Sequence, residues 1–193
     1  MKINYEEAYK CYLDVADSRE LSYPLDVFGL VKSYGIKLVK YTQVAKSQNL
    51  TMEQLLECMP EYGQLATLGN ERRILYNDTL IEGTIRFTLL HELGHYLMGH
   101  KDGDNLTDEE IQKNENLANC FARNLIAPLT ICNLLGFTTP FEISYYFNTS
   151  LDAGRVRLNL KDSDKYHLNK LSNKMDHIPF IRYSEYIPPE LPF

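Results

Sequence analysis

The sequence predicts an α+β fold: N-terminal helices, a short antiparallel sheet, a long central helix paired with a second one, and a small helical C-terminal part. Three observations carry this. Apolar residues recur at helical spacing through residues 5–17, 80–98 and 108–127. Two short apolar runs flank Gly69-Asn70, a hairpin signal, and the β-rich IKLVKY precedes them. Segments of helical length then follow one another from residue 129 to residue 160.

Taken in order, YEEAYKCYLDVAD (5–17) sets Tyr5, Ala8, Tyr9, Tyr12, Leu13 and Ala16 on one helical face. A second helix is expected to open at Pro24, since proline suits a first helical position, and to stop at Gly35. IKLVKY (36–41) reads as a strand, followed by a polar connection. TMEQLLECM (51–59) reads as a short helix with Thr51 as its N-cap, and the hairpin around Gly69-Asn70 comes next. Thr79 with Glu82 fits a capping box opening a helix that ends near Gly99. After the polar KDGDNLTDEE, a long helix is expected from about residue 108 to residue 127, closed by Pro128. Shorter helices are expected at 129–135, 140–147 and 150–160. The organisation expected is a domain over 1–128, a small helical subdomain over 129–161, and a Pro-rich tail over 162–193.

Composition excludes several classes. A hydrophobic fraction of 44% with 24% charged residues is that of a globular chain able to bury a core. The first residues carry acids where a secretory signal needs a basic head and an apolar run, and no stretch is long enough to span a membrane, so a cytoplasmic protein is expected. Cys11, Cys58, Cys120 and Cys132 form no CxxC pair, which predicts free, mostly buried thiols. A net charge of −6 argues against direct nucleic-acid binding, which needs a basic field.

The chemistry is concentrated in RFTLLHELGHYLMGH (86–100). His91 and His95 are one helical turn apart, so both imidazoles leave the same face and can meet one ion. Glu92 lies about 100° round from His91 and about 60° from His95, within reach of a water on that ion. This is the H-E-x-x-H arrangement of two neutral imidazole ligands and a carboxylate that takes the proton of the attacking water. His100, beyond Gly99, is badly placed as a third ligand and is expected to be a loop bystander.

Catalytic zinc sites take three protein ligands and keep the fourth position open. Glu115 is the leading third donor: Ala118, Ala122 and Ile126 fall within about 60° of it on the helical wheel, which turns the carboxylate toward the apolar face. There a metal would remove the cost of burying it. A salt bridge to Arg123 or Lys113 is the competing role. Asn119, one turn on, could accept a hydrogen bond from the free nitrogen of a liganding histidine, or be solvated. Spacing does not choose an oxyanion donor among Tyr76, Tyr96, Tyr183, His100, His167 and His177.

ILYN, RFTLLHELGHYLMGH and ENLANCFARNLIAP, the last fitting E-x-x-A-x-x-F-A-x-x-L-x-x-P, make residues 74–128 resemble the ImmA/IrrE family of zinc metallopeptidases. The resemblance implies a gluzincin-like, zincin-type domain holding one Zn2+ per chain on His91, His95 and Glu115, with Glu92 as general base. It implies that the strand around ILYN flanks the cleft and pairs with an extended substrate. It also implies a protein substrate, a helix-turn-helix repressor whose cleavage relieves repression of a mobile element or stress genes. The alternative is a non-catalytic, zinc-containing module that regulates a repressor by association. A DNA-reading role would need a basic helix face, and Arg155, Arg157 and Lys161 offer too few charges.

Overall fold

A computed structural model describes residues 3–19, 21–100 and 106–172. Two helices, α1 (Glu6–Ser18) and α2 (Val27–Ser33), precede strand β1 (Lys37–Lys40) and the short helices α3 (Tyr41–Gln48) and α4 (Met52–Leu56). The hairpin β2 (Gly63–Leu68) and β3 (Glu71–Tyr76) leads into α5 (Glu82–Leu97) and α6 (Asp108–Ile126). Then come α7 (Leu129–Leu134), α8 (Pro140–Phe147), α9 (Leu151–Asn159) and α10 (Lys161–Ser172).

The α+β class is as expected, but the sheet is mixed. β3 lies at its centre, antiparallel to β2 and parallel to β1. The hairpin turns at Gly69, whose φ of 62° is one that residues with a Cβ rarely adopt. The parallel pair arises because the chain passes through α3 and α4, comes back along β2 opposite to β1, and turns again into β3, which runs in the direction of β1. The segment expected as a polar connection after β1 is therefore helix α3, which buries Tyr41 and Ala45 against Leu55 of α4.

Helix starts differ from expectation where a side chain finds a better use. α2 opens at Val27, because the Asp26 carboxylate accepts from Gly29 N–H at 2.9 Å. Thr79 and Glu82 form no capping box: Thr79 N–H and Oγ1 both donate to Asn77 Oδ1, and Glu82 accepts from Asn148 at the end of α8. α6 carries the box instead, with Thr107 and Glu110 exchanging hydrogen bonds. Residues 162–172, expected to begin the tail, lie in α10, and residues 173–193 lie outside the described residues.

α5 and α6 pack along their length, and Leu89, Leu90, Leu93, Leu117, Phe121 and Leu125 between them are fully buried. The close approach depends on Gly94, where a Cβ would stand 2.9 Å from Phe121 Cδ1 and 3.4 Å from Ala118 Cα. One core cluster runs from α1 through α5 and α6 to α8 and Leu171 of α10. α10 is also tied by charge. Asp164, 1% exposed, is bound by Arg157 of α9, by Arg123 of α6 through two hydrogen bonds, and by the Tyr9 hydroxyl of α1. Among the described residues no helix is long and apolar enough to cross a membrane. Cys11 is half-buried, Cys120 and Cys132 are buried, and Cys58 is exposed.

Candidate metal centre

A cleft of about 820 Å³ opens between β2 and the facing helices α5 and α6, within the roughly 300–1,000 Å³ typical of ligand sites. His91, Glu92 and His95 line it from α5, Glu115 and Asn119 from α6. The helical turn between His91 and His95 aims both Nε2 atoms at one point, 2.9 Å apart. Glu115 lies 3.3 Å from each, through Oε2 to His91 and Oε1 to His95, so the three donors could hold one metal ion. Arg123, the competing partner of Glu115, is engaged by Asp164 instead.

The other ring nitrogens are also engaged. His91 Nδ1 is 3.0 Å from Asn119 Oδ1, the first of the two roles left open for that residue. His95 Nδ1 is 3.0 Å from His100 Nδ1. In the tautomers in which Asn119 and His100 accept from Nδ1, both rings turn a bare Nε2 lone pair inward. Two such lone pairs and a carboxylate then converge with no proton between them, a donor set that fits a cation.

His100 is thus no bystander. Gly99, at φ 66°, reverses the chain, Gly99 N–H bonds to Tyr96 O, and His100 N–H bonds to His95 O at 3.0 Å. This is a Schellman end, which folds the residue after the glycine back over the last helical turn. The glycine two residues past the helix was the available signal for that contact. Burial holds the His100 ring down at about 4, with His95 adding to the effect, so it is neutral at pH 7. Its Nε2 is buried and has no partner among the described residues.

Glu92 is half-buried at the back of the cleft, and its Oε2 accepts from Leu65 N–H of β2 at 2.8 Å. Burial raises its pKa above the ordinary carboxylate value, against the pull of both histidines and of the Leu65 bond. Glu115 is held far below that value by His91 and His95, which donate to it whenever their Nε2 atoms carry protons. At His91 burial is the strongest influence and pulls the pKa down, but Glu115, Glu92 and Asn119 together leave it raised.

The strand beside the cleft is β2, not the ILYN strand. ILYN enters β3, which is paired on both sides, so its backbone is unavailable to a substrate. β2 is the edge, and Leu65 N–H points out of the sheet's pairing, toward Glu92. Of the oxyanion candidates, Tyr76 is buried against Phe28, Tyr96 lies under Arg72, and His167 stacks on Tyr9. Tyr183 and His177 lie outside the described residues. Tyr62, half-exposed at the lip, is the tyrosine that lines the cleft, and spacing gave no reason to single it out.

Two histidines one turn apart with a glutamate between them, a carboxylate from the next helix and an edge strand along the cleft define a metallopeptidase domain. Comparison with protein-family models matches residues 50–159 to the peptidase M78 family, described as an IrrE N-terminal-like domain. The match spans more than half of the chain, and the protein belongs to that family. Comparison with curated proteins gives no match.

Proposed function

We propose that the protein is a zinc-dependent endopeptidase of the cytoplasm that cuts a helix-turn-helix repressor and so relieves repression of a mobile element or stress genes. The observation that carries the catalytic part is Glu92: its carboxylate stands beside three convergent metal donors and touches the backbone of the edge strand. His91, His95 and Glu115 would hold one zinc, which when bound polarises a peptide carbonyl and acidifies water. An extended substrate segment adds to the free edge of β2, where Leu65 N–H can turn from Glu92 to a substrate carbonyl. Glu92 takes a proton from the attacking water at a carboxylate oxygen, the water oxygen bonds to the scissile carbon, and Glu92 returns the proton to the leaving amine as the C–N bond breaks. Its raised proton affinity suits both transfers. The acidic chain, with a net charge of −6, favours a protein partner over DNA.

Metal analysis of the purified protein should return about one zinc per chain, and Glu115→Ala should lose it. Glu92→Gln should keep the zinc and lose cleavage of a helix-turn-helix repressor that the wild type cuts, by roughly 100-fold or more. A wild type that binds no zinc, or a Glu92→Gln variant that cuts at the wild-type rate, refutes the mechanism.

A further inference from the structure

A second cavity of about 360 Å³ opens off the cleft and shares Thr84, Phe87 and Asn119 with it. Its remaining walls include Ile126 of α6 and Ala153 and Val156 of α9. Val156 is 46% exposed, an apolar side chain facing a space that nothing among the described residues fills. Two arginines, Arg123 and Arg157, also line the cavity, but their guanidinium groups are bound to Asp164 and, for Arg157, Asn124 as well. One carboxylate does not cancel two guanidiniums, but their paired N–H groups are turned to Asp164, so what the two side chains offer the cavity is chiefly their apolar stems.

We infer that this cavity is a specificity pocket that takes one large apolar side chain, aromatic or long aliphatic, of the peptide held in the cleft. The inference rests on the reading of the cleft as a peptide site and adds to it the side chain selected. Continuity through Thr84, Phe87 and Asn119 identifies the occupant as part of the molecule lying in the cleft. Size agrees: a cavity of roughly 150 Å³ lined by apolar residues is enough to bind benzene. Position sets the register. Phe87 stands one turn and Thr84 two turns before His91, about 6 and 10 Å along the helix axis at roughly 1.5 Å per residue. An extended peptide covers that distance in two or three residues at about 3.3 Å each. The pocket therefore reads the side chain two or three residues from the scissile bond.

Two measurements test this. A random peptide library digested by the zinc-loaded full chain, with cut sites read by mass spectrometry, should show Phe, Leu, Ile or Met enriched at one position two or three residues from the cut. Ala153→Phe, which fills the cavity, and Val156→Lys, which charges its rim, should each flatten that preference at least fivefold. A uniform profile, an acidic preference there, or a preference unchanged in both variants overturns the pocket. Independently of cleavage, N-acetyl-phenylalaninamide should shift the methyl resonances of Ile126, Ala153 and Val156 saturably, N-acetyl-glycinamide should not, and Ala153→Phe should abolish the shift. Absence of that shift in the wild type overturns the pocket even if peptides are cut. A clear shift in a chain that cuts no peptide counts against the peptidase reading and supports the pocket.

Discussion

Asn119→Ala should weaken zinc binding by 10- to 100-fold while leaving all three donors in place. The structure gives the size of the effect. Asn119 Oδ1 accepts from His91 Nδ1 at 3.0 Å, and that bond fixes both the tilt of the ring and the tautomer that leaves Nε2 bare. Its deletion removes about 0.5–1.5 kcal/mol of hydrogen bonding and frees the imidazole to carry its proton on Nε2, which must then move before metal binds. Partners of this kind cost roughly 10–100-fold in metal affinity, or about 1.4–2.7 kcal/mol. Asn119→Asp keeps an acceptor at the same place and should stay within a few fold of the wild type. His100→Phe, which keeps a ring at the Schellman end but removes the acceptor of His95, should match the loss of Asn119→Ala. The assay is competition with a chromophoric zinc chelator at pH 7, with thermal melting of the metal-free proteins as the control for folding. If Asn119→Ala and His100→Phe both bind zinc within twofold of the wild type, the orienting role is wrong. If Asn119→Asp falls as far as Asn119→Ala, the hydrogen bond is not what matters.

Two further outcomes follow from the packing. Gly94→Val should cost about 1–3 kcal/mol in urea unfolding and lower zinc affinity as well, because its Cβ would stand 2.9 Å from Phe121 and push apart the helices that carry the donors; a loss of stability with zinc affinity intact would separate the two. Asp164→Ala leaves Arg157 and Arg123 without their counter-ion and should cost about 3–5 kcal/mol, or about 6–20 °C in Tm; a loss below about 1 kcal/mol would show that the cluster is neutral to stability. The same carboxylate sets an acid limb. Burial alone would raise its pKa, but the Arg123 hydrogen bonds and the Arg157 charge hold it below the unfolded value, so its contribution is complete above about pH 4 and disappears as the pH falls through the lowered folded value. Asp164→Asn should flatten that limb in urea titrations between pH 5 and pH 2, and an unchanged limb would assign it to other carboxylates.

What could be read from the chain was whatever depends on local periodicity. His91, Glu92 and His95 share one helical segment, and Glu115 was singled out by its alignment with the apolar side of the next, although its side chain is 44% exposed there. What escaped depends on distant partners. YTQVAKSQ carries Tyr41, Val44 and Ala45 on one face but is only about two turns long, and it becomes α3 because Tyr41 and Ala45 meet Leu55 from another helix. KDSDKYHLNKLS is mostly polar and becomes α10 because Asp164 finds two arginines and a tyrosine brought from α6, α9 and α1. The strand order is of the same kind: β1 joins β3 across a long crossover, which moves the edge, and with it the place for a peptide, from ILYN to Leu65. His100 was the exception, a local feature left unread, since a glycine closing a helix is also a prediction about the residue after it.

The helix α6 joins these features in a single row. Glu115, Asn119 and Arg123 are spaced four residues apart, so successive side chains stay within about 40° of one another and climb about 6 Å per step. The first reaches toward the metal position, the second orients His91, and the third holds Asp164 of α10. A helix is stiff over that length, so the position of Glu115 is fixed less by its own contacts, being 44% exposed, than by the buried partners one and two turns away. The apolar cavity lies beside the same row, between Asn119 and Ile126. Glu115, the residue that orients His91, the anchor of α10 and one wall of the second cavity therefore share one helix, which is why substitutions at Gly94, where α5 meets α6, or at Asp164, neither of them a donor, should be felt at the metal position.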